Sequence, residues 1–114
     1  MLTFKQFLIK ENDETHQIEN YRRRALDLIN AHANRWAESL SDVLEVPVHS
    51  VVPNGSVVDP ERFNENSDID ILAHVTDVSR PHGACPELSQ KAAGTIFHPE
   101  LGFLDVGIFN HNAD

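Results

Sequence analysis

The spacing of apolar residues divides the chain into a helical first part and a strand-like second part. From about residue 15 to residue 44, most apolar residues are three or four positions apart, which is the period of an α-helix. This segment contains no glycine or proline, so it forms either one long helix or two helices with a kink near residues 30–34. A shorter helix is predicted over residues 4–10, because Thr3 and Gln6 form a capping-box pair ahead of it.

The pattern changes at Pro47, which restricts Val46 to extended geometry and ends the helical segment. Three apolar runs then predict strands, over residues 46–52, 68–75 and 101–109. A short helix is predicted around residues 87–93, and the tail from Asn110 onwards is predicted to be frayed. This order indicates an α+β fold in a single domain of residues 1–114, with residues 1–45 helical and residues 46–109 forming the sheet.

The charge balance is strongly acidic and uneven. Nine Lys and Arg stand against 18 Asp and Glu, which gives a formal net charge of −9. Residues 46–114 hold three of the basic and ten of the acidic side chains, so this part alone has a charge of −7. Such a balance disfavours a general DNA- or RNA-coating protein, which needs clustered positive charge. It is compatible with a site that attracts divalent cations and, through them, phosphates.

The sequence also indicates the compartment. A single cysteine, Cys85, excludes an intramolecular disulfide and suits a reducing environment. No apolar run approaches the ~18 residues that a membrane helix needs, and the first residues lack the features of a signal peptide. We therefore expect a soluble, cytoplasmic protein with no membrane partner.

Three aspartates are predicted to share one face of the sheet. Side chains alternate along a strand, so Asp68 and Asp70 point away from the apolar residues between and after them. Asp105 has the same relation to its apolar neighbours in the last strand. If these strands pair with their apolar faces on one core, the three carboxylates emerge together. Because convergent carboxylates repel one another, a hard divalent cation such as Mg²⁺ is the natural counter-charge, and two such ions can clamp a phosphoryl displacement.

A Gly-Ser pair precedes these aspartates. Gly55 lets the backbone approach a phosphate closely, and Ser56 can hold the anionic tail of a triphosphate together with the amides of a following helix. Pro60 lies soon after the pair and is expected to shorten or displace that helix.

These motifs resemble the signature of the polymerase-β-type nucleotidyltransferase superfamily, and above all its minimal single-domain members. The similarity covers about residues 46–109. It implies a small mixed β-sheet with helices packed on one face, preceded by the N-terminal helices. It also implies transfer of a nucleoside monophosphate from a nucleoside triphosphate to an acceptor hydroxyl, with release of pyrophosphate. The acceptor class, whether a protein, an RNA end or a small molecule, stays open.

The resemblance assigns roles residue by residue. Asp68, Asp70 and Asp105 become the catalytic carboxylates and the ligands of Mg²⁺, with two ions expected and Mn²⁺ able to substitute. Asp105 either binds the catalytic metal or accepts the proton of the acceptor. The nucleotide and its phosphates are assigned to Gly55, Ser56, Arg62 and Ser67.

Two alternatives remain open at this level. The first is a non-catalytic binding module, such as an antitoxin or inhibitor with a vestigial nucleotide pocket, whose N-terminal helices contact a partner protein or a second copy. The second concerns the arginine run at residues 22–24, which is either a solvated helix face or a contact to phosphates.

Tyr21 and Trp36 are predicted to lie in the core. A zinc site at His82, Cys85 and His98 is disfavoured, because three ligands without a Cys-x-x-Cys spacing are a weak signal.

Overall fold

The computed structural model describes residues 14–112, and the helix predicted over residues 4–10 lies outside this range. The described residues form a mixed α+β fold. Its helices are α1 (Glu14–Leu44) and α2 (Pro86–Ala92). Its main sheet consists of β1 (Val48–Asn54), β2 (Asp70–Val75), β3 (Gly83–Ala84) and β6 (Asp105–Asn110). A separate two-stranded ribbon is formed by β4 (Phe97–His98) and β5 (Gly102–Phe103).

Helix α1 is continuous over 31 residues, which decides between the two helical alternatives in favour of one helix. Its buried stripe follows the helical period and includes both residues predicted for the core, Tyr21 and Trp36. The helix ends at Glu45, whose φ of 59° is left-handed. The hydroxyl of Ser41 then accepts a hydrogen bond from the Val48 amide at 3.0 Å, which fixes the first strand to the end of the helix. Within residues 14–112, no helix has both the length and the apolar character needed to cross a bilayer.

The main sheet has the strand order β1-β2-β6-β3 and contains both pairing directions. Strand β1 is antiparallel to β2, β2 is parallel to β6, and β3 is antiparallel to β6. The bounds of all three predicted strands needed correction. The first lies over Val48–Asn54 instead of residues 46–52. The second begins at Asp70 instead of residue 68, and the run over residues 101–109 is divided into β5 and β6, with Leu104 between them.

One face of the sheet is buried beneath the helices. Alternate side chains of β2 and β6 lie in the core, and both helices contact the sheet, α1 chiefly through β1 and α2 through β6. The other face is half-buried or exposed, and Asp70 and Asp105 belong to it. The buried side chains of the three long strands are Val51, Ile71, Ala73, Val75, Val106, Ile108 and Asn110.

The prediction of a frayed tail from Asn110 onwards is wrong for residues 110–112. The side chain of Asn110 is fully buried, and this residue ends β6. The Oδ1 atom accepts a hydrogen bond from the Asp77 amide at 2.7 Å, and Nδ2 donates to the carbonyl oxygens of Asp77, Arg80 and Pro81. These bonds attach the loop after β2 to the end of β6. They satisfy an amide that would otherwise be costly to bury.

Candidate functional site

Asp70 and Asp105 lie directly opposite each other at the start of two parallel strands. They are register partners in the β2–β6 ladder, and the Asp105 amide donates to the Ile69 carbonyl at 3.0 Å. Asp70 is half-buried and Asp105 is exposed, whereas Ile69 and Val106 point into the core. The alternation of side chains therefore places both carboxylates on the open face of the sheet.

Burial and the neighbouring carboxylates change the pKa of Asp70. The pKa of Asp70 is raised from 3.8 to about 6, first by burial and next by the negative charge of Asp105. A hydrogen bond between the two carboxyl groups and the charge of Asp68 contribute in the same direction. Asp68 is exposed and lies just before β2, so it acts on Asp70 from the edge of the site. The site is therefore a pair of carboxylates with a third carboxylate nearby, and none of the ion pairs within residues 14–112 involves Asp70 or Asp105.

Asp70 and Asp105 supply oxygen donors of the kind that hard cations bind. In the part of the chain that the structure describes, no group of three or more His, Cys, Asp or Glu side chains is placed so that it could hold a metal ion by itself. Mg²⁺ does not need such a group, because it is commonly bound by one or two carboxylates together with substrate phosphates and water. The oxygen donors of Asp70 and Asp105, and the raised pKa of Asp70, fit a hard cation that arrives with a phosphate ligand.

Gly55 lies next to the Asp70 carboxylate. It follows Asn54, the last residue of β1 and the register partner of Asp70. Its φ of 71° is left-handed, and a Cβ atom at this position would lie 2.5 Å from Oδ2 of Asp70. The positive φ favours glycine, and any larger residue would also force the Asp70 carboxylate to move. Gly55 thus lies directly against the Asp70 carboxylate.

The helix that follows the corner formed by Gly55 and Ser56 is short. Residues Gly55–Val58 form a single 3₁₀ turn, which contains the half-buried Ser56. The Asp59 amide donates to the Ser56 carbonyl at 3.0 Å, and Pro60 follows directly. The shortening expected from Pro60 is therefore observed. The donors that remain for an anion at this corner are the Ser56 hydroxyl and the first amides of the turn.

The structure gives the other two predicted nucleotide-binding residues different surroundings. The Oγ atom of Ser67 accepts a hydrogen bond from the Asn64 amide at 3.0 Å, and the Ser67 amide donates to the Asn64 carbonyl. Ser67 thus closes the turn over residues 64–67 that leads into β2. Arg62 is exposed, and within residues 14–112 no ion pair joins it to Asp70 or Asp105.

Arg22 positions the corner and was not predicted to do so. Its Nη1 atom donates to the Val57 carbonyl at 3.0 Å, while Nε and Nη2 bind the Glu19 carboxylate at 2.9 and 2.8 Å. The Arg22 bond lowers the pKa of Glu19 to about 2. The i,i+3 spacing of Glu19 and Arg22 predicts their ion pair, but no local pattern predicts the bond to Val57, 35 positions away.

The other two arginines of the run are occupied within the fold. Arg23 binds Glu19 at 3.2 Å, and Arg24 binds Glu100 at 2.9 Å, which links α1 to the loop after β4. The exposed side chains of Arg23 and Arg24 agree with the interpretation of this run as a solvated helix face, whereas Arg22 is 13% exposed and departs from it. In this structure all three guanidinium groups of residues 22–24 are paired with carboxylates.

Several histidines lie on the open face but away from the carboxylates. His74 is four residues beyond Asp70 on β2, about 13 Å along the strand. Its Nδ1 atom is 2.6 Å from Nε2 of His111, and the His82 ring packs against Phe109 at 5.2 Å. Cys85 is buried, and His82, Cys85 and His98 form no metal-binding group within the described range.

The chain was compared with protein families, curated proteins and solved structures. It matches no family model, no curated protein and no solved structure. The resemblance to nucleotidyltransferases therefore depends on the motif residues themselves and on where the fold places them.

Proposed function

We propose that the protein is a Mg²⁺-dependent nucleotidyltransferase of the minimal, polymerase-β-like type. The observation that carries this proposal is the direct opposition of Asp70 and Asp105 in β2 and β6, with Gly55 against the Asp70 carboxylate. Two carboxylates beside a tight Gly-Ser corner form a place where a metal-bound triphosphate could be held. The small mixed sheet, with its helices on the face away from the aspartates, is compatible with this type of fold.

Each residue of the site has a chemical role in this proposal. Asp70 would hold Mg²⁺, or Mn²⁺ in its place, and Asp105 would either bind the same ion or accept the acceptor's proton. Asp68 would complete the ligand set when two ions and the nucleotide are bound. The bound cation supplies the positive charge that the carboxylates and the triphosphate both lack. Ser56 and the backbone amides beside Gly55 hold the terminal phosphates. Arg22 acts only as a positioning residue, through its bond to Val57.

The proposed reaction is an in-line displacement at the α-phosphorus of a nucleoside triphosphate. The acceptor's hydroxyl oxygen forms a bond to the α-phosphorus, and the bond from this phosphorus to the bridging oxygen of pyrophosphate breaks. The acceptor's proton goes to Asp105 or, if Asp105 is occupied by the metal, to solvent. The acceptor is a protein, an RNA end or a small molecule, and it would approach over the open face of the sheet.

The first test is thermal unfolding with Mg²⁺ and each of the four ribonucleoside triphosphates. A ligand at a hundred times its dissociation constant stabilises the folded state by about 2.7 kcal/mol. We expect such a shift with at least one triphosphate for the unmodified protein and for Asp42→Asn, a charge change on the exposed side of α1. Asp70→Asn should keep its fold and lose the shift.

The second test is transfer of an α-labelled nucleotide to candidate acceptors. We expect incorporation that requires Mg²⁺ and disappears in Asp70→Asn. Stabilisation without any transfer would indicate a nucleotide sensor. If no triphosphate stabilises the protein, the proposal is wrong, and the alternative of a binding module with a vestigial pocket becomes the better explanation.

A further inference from the structure

Two phenylalanines on the β4–β5 ribbon expose their rings. Phe97 is 54% exposed and Phe103 is 67% exposed, whereas Phe63 is buried and Phe109 is half-buried. Phe97 and Phe103 are cross-strand register partners, and their ring centroids are 5.0 Å apart with an interplanar angle of 58°. The two rings form one contiguous exposed apolar patch, and patches of this kind are candidates for ligand or partner contacts.

The backbone beneath these rings is firmly attached to the core. The Leu104 amide donates to the Ile96 carbonyl at 3.0 Å, and the Leu101 amide donates to the His98 carbonyl at the same distance. Ile96, Leu101 and Leu104 are all buried. The ribbon therefore holds Phe97 and Phe103 outward on a fixed support.

The ribbon also leads directly into the candidate site. Phe103 and Asp105 are exposed, whereas Leu104 and Val106 are buried, so the alternation of β6 extends back through residue 103. Phe103 and Asp105 thus lie on the same side of the chain, and two residues of extended chain advance by about 6.6 Å. Asp105 is the register partner of Asp70. Counting back along the chain from Asp105, Phe103 is the next residue whose side chain lies on this side.

We propose that Phe103, supported by Phe97, stacks on the base of the nucleoside triphosphate whose phosphates are held at Asp70 and Asp105. This inference rests on the proposed function and adds the way in which the nucleoside is recognised. Stacking on a ring tolerates any base, because every base has a π-face. The site should therefore prefer nucleoside triphosphates over a bare polyphosphate and distinguish only modestly among the four bases.

Two other occupants fit the observations less well. A stable protein interface buries about 800 Å² on each partner, which is more than two phenylalanine rings provide. A polynucleotide would approach a chain with a net charge of −9, and residues 46–114 hold most of that negative charge. A single nucleotide that brings its own Mg²⁺ avoids both difficulties.

The experiment is calorimetric titration of the whole chain in the presence of Mg²⁺. It compares the binding of tripolyphosphate, ATP and UTP. We expect ATP and UTP to bind the unmodified protein more tightly than tripolyphosphate. Phe103→Leu should weaken binding of both nucleotides by roughly fivefold to a hundredfold and leave tripolyphosphate binding unchanged. Phe103→Trp should retain nucleotide binding. Val78→Ala, which shortens an exposed side chain on another loop, should change nothing.

The outcomes separate this inference from the proposed function. If tripolyphosphate and nucleotides all fail to bind, the proposed function is wrong and the inference falls with it. If tripolyphosphate binds as tightly as ATP, or if Phe103→Leu binds ATP normally, the phosphate site stands and base stacking is wrong. Single-stranded RNA binding that Phe103→Leu removes, or a dimer that this substitution dissociates, would assign the rings to another occupant and overturn the inference.

Discussion

Asp70 and Asp105 are register partners in two parallel strands, and their carboxyl groups interact on the open face of the sheet. Holding two acidic groups side by side opposes folding, because at neutral pH their negative charges repel. The fold nevertheless places them together and fits Gly55 against one of them. This arrangement is expected of a site whose counter-charge arrives with a ligand.

Asp70→Asn should increase the stability of the metal-free protein at pH 7. The folded pKa of about 6 lies above the ordinary 3.8, so the Asp70 carboxyl favours folding below pH 3.8. That contribution is lost as the pH rises through about 6, and the ionised carboxylate opposes folding at pH 7. We expect a gain of about 1 kcal/mol, reduced from the full shift because solvent screens a half-buried group. Urea unfolding at pH 7 and pH 4 measures it.

The control for this prediction is Asp42→Asn, which removes one negative charge from an exposed position on α1. It should change the free energy of unfolding by less than ~0.5 kcal/mol at either pH. An Asp70→Asn protein that is less stable than the unmodified chain at pH 7 would contradict the electrostatic account of the site.

Gly55→Ala should cost more stability than Gly94→Ala. The two glycines have nearly the same left-handed φ, 71° and 74°, so both substitutions incur the same backbone strain of about 1–2 kcal/mol. Only at Gly55 would the new methyl group collide with a side chain, at 2.5 Å from Asp70 Oδ2, whereas nothing lies within 4 Å at Gly94. The difference in unfolding free energy between the two variants isolates the contact with Asp70.

The same pair of glycines allows a check on function. Gly55→Ala should also abolish stabilisation by Mg²⁺ and a triphosphate, and Gly94→Ala should retain it. Equal losses of stability in the two variants, together with equal ligand responses, would mean that the close approach of Gly55 to Asp70 has no consequence.

Arg22→Gln should destabilise the protein, and Arg23→Gln should not. Both arginines bind Glu19, but only Arg22 also donates to the Val57 carbonyl, and its side chain is 13% exposed against 72% for Arg23. We expect a loss of about 1–3 kcal/mol for Arg22→Gln and less than ~0.5 kcal/mol for Arg23→Gln. Nucleotide affinity should fall in the first variant only, because the 3₁₀ turn with Ser56 loses its anchor. Chemical unfolding and calorimetric titration provide the two measurements.

The imidazole pair of His74 and His111 predicts a loss of stability in mild acid. Their nitrogens are 2.6 Å apart, so one ring must be neutral to accept the hydrogen bond. Desolvation, followed by the charges of His74, His82 and His49, holds the pKa of His111 below 6.5. The unfolded chain therefore takes up this proton more readily, and stability should fall as the pH decreases below 6.5.

Asp70 has the opposite dependence in the same pH range, so the histidine effect is best measured in the Asp70→Asn background. Unfolding free energies between pH 7.5 and 5.5 should decrease there, and His111→Gln should make the decrease smaller. Burial also lowers the pKa of His98, so His98 makes stability fall with decreasing pH in both proteins. Part of the decrease should therefore remain in His111→Gln. An unchanged slope in His111→Gln would contradict this explanation.

Periodicity predicted those features of the fold that depend on local spacing. The stripe of α1, the existence of three strand regions and the alternation that exposes Asp70 and Asp105 all follow from which neighbours are apolar. The short helix near residues 87–93 was also predicted, and α2 occupies Pro86–Ala92.

Features that depend on distant pairing could not be predicted in this way. No local pattern shows that β2 lies beside β6, or that Asp70 is in register with Asp105. The burial of Asn110 was missed because an asparagine near the end of the chain is typical of exposed loops, and its partners are 29 to 33 positions away. The bond from Arg22 to Val57 was missed for the same reason.

The most direct test of the proposed site is to locate a bound metal ion. Mn²⁺ broadens the NMR signals of nearby amides steeply with distance, and it should replace Mg²⁺ when a nucleoside triphosphate is present. We predict the strongest broadening at residues 54–56, 69–71 and 104–106, much weaker broadening at residues 77–80 beyond the far ends of β2 and β6, and loss of the effect in Asp70→Asn. Broadening that is absent from these residues at saturating Mn²⁺ and triphosphate, or that persists in Asp70→Asn, would contradict the proposal.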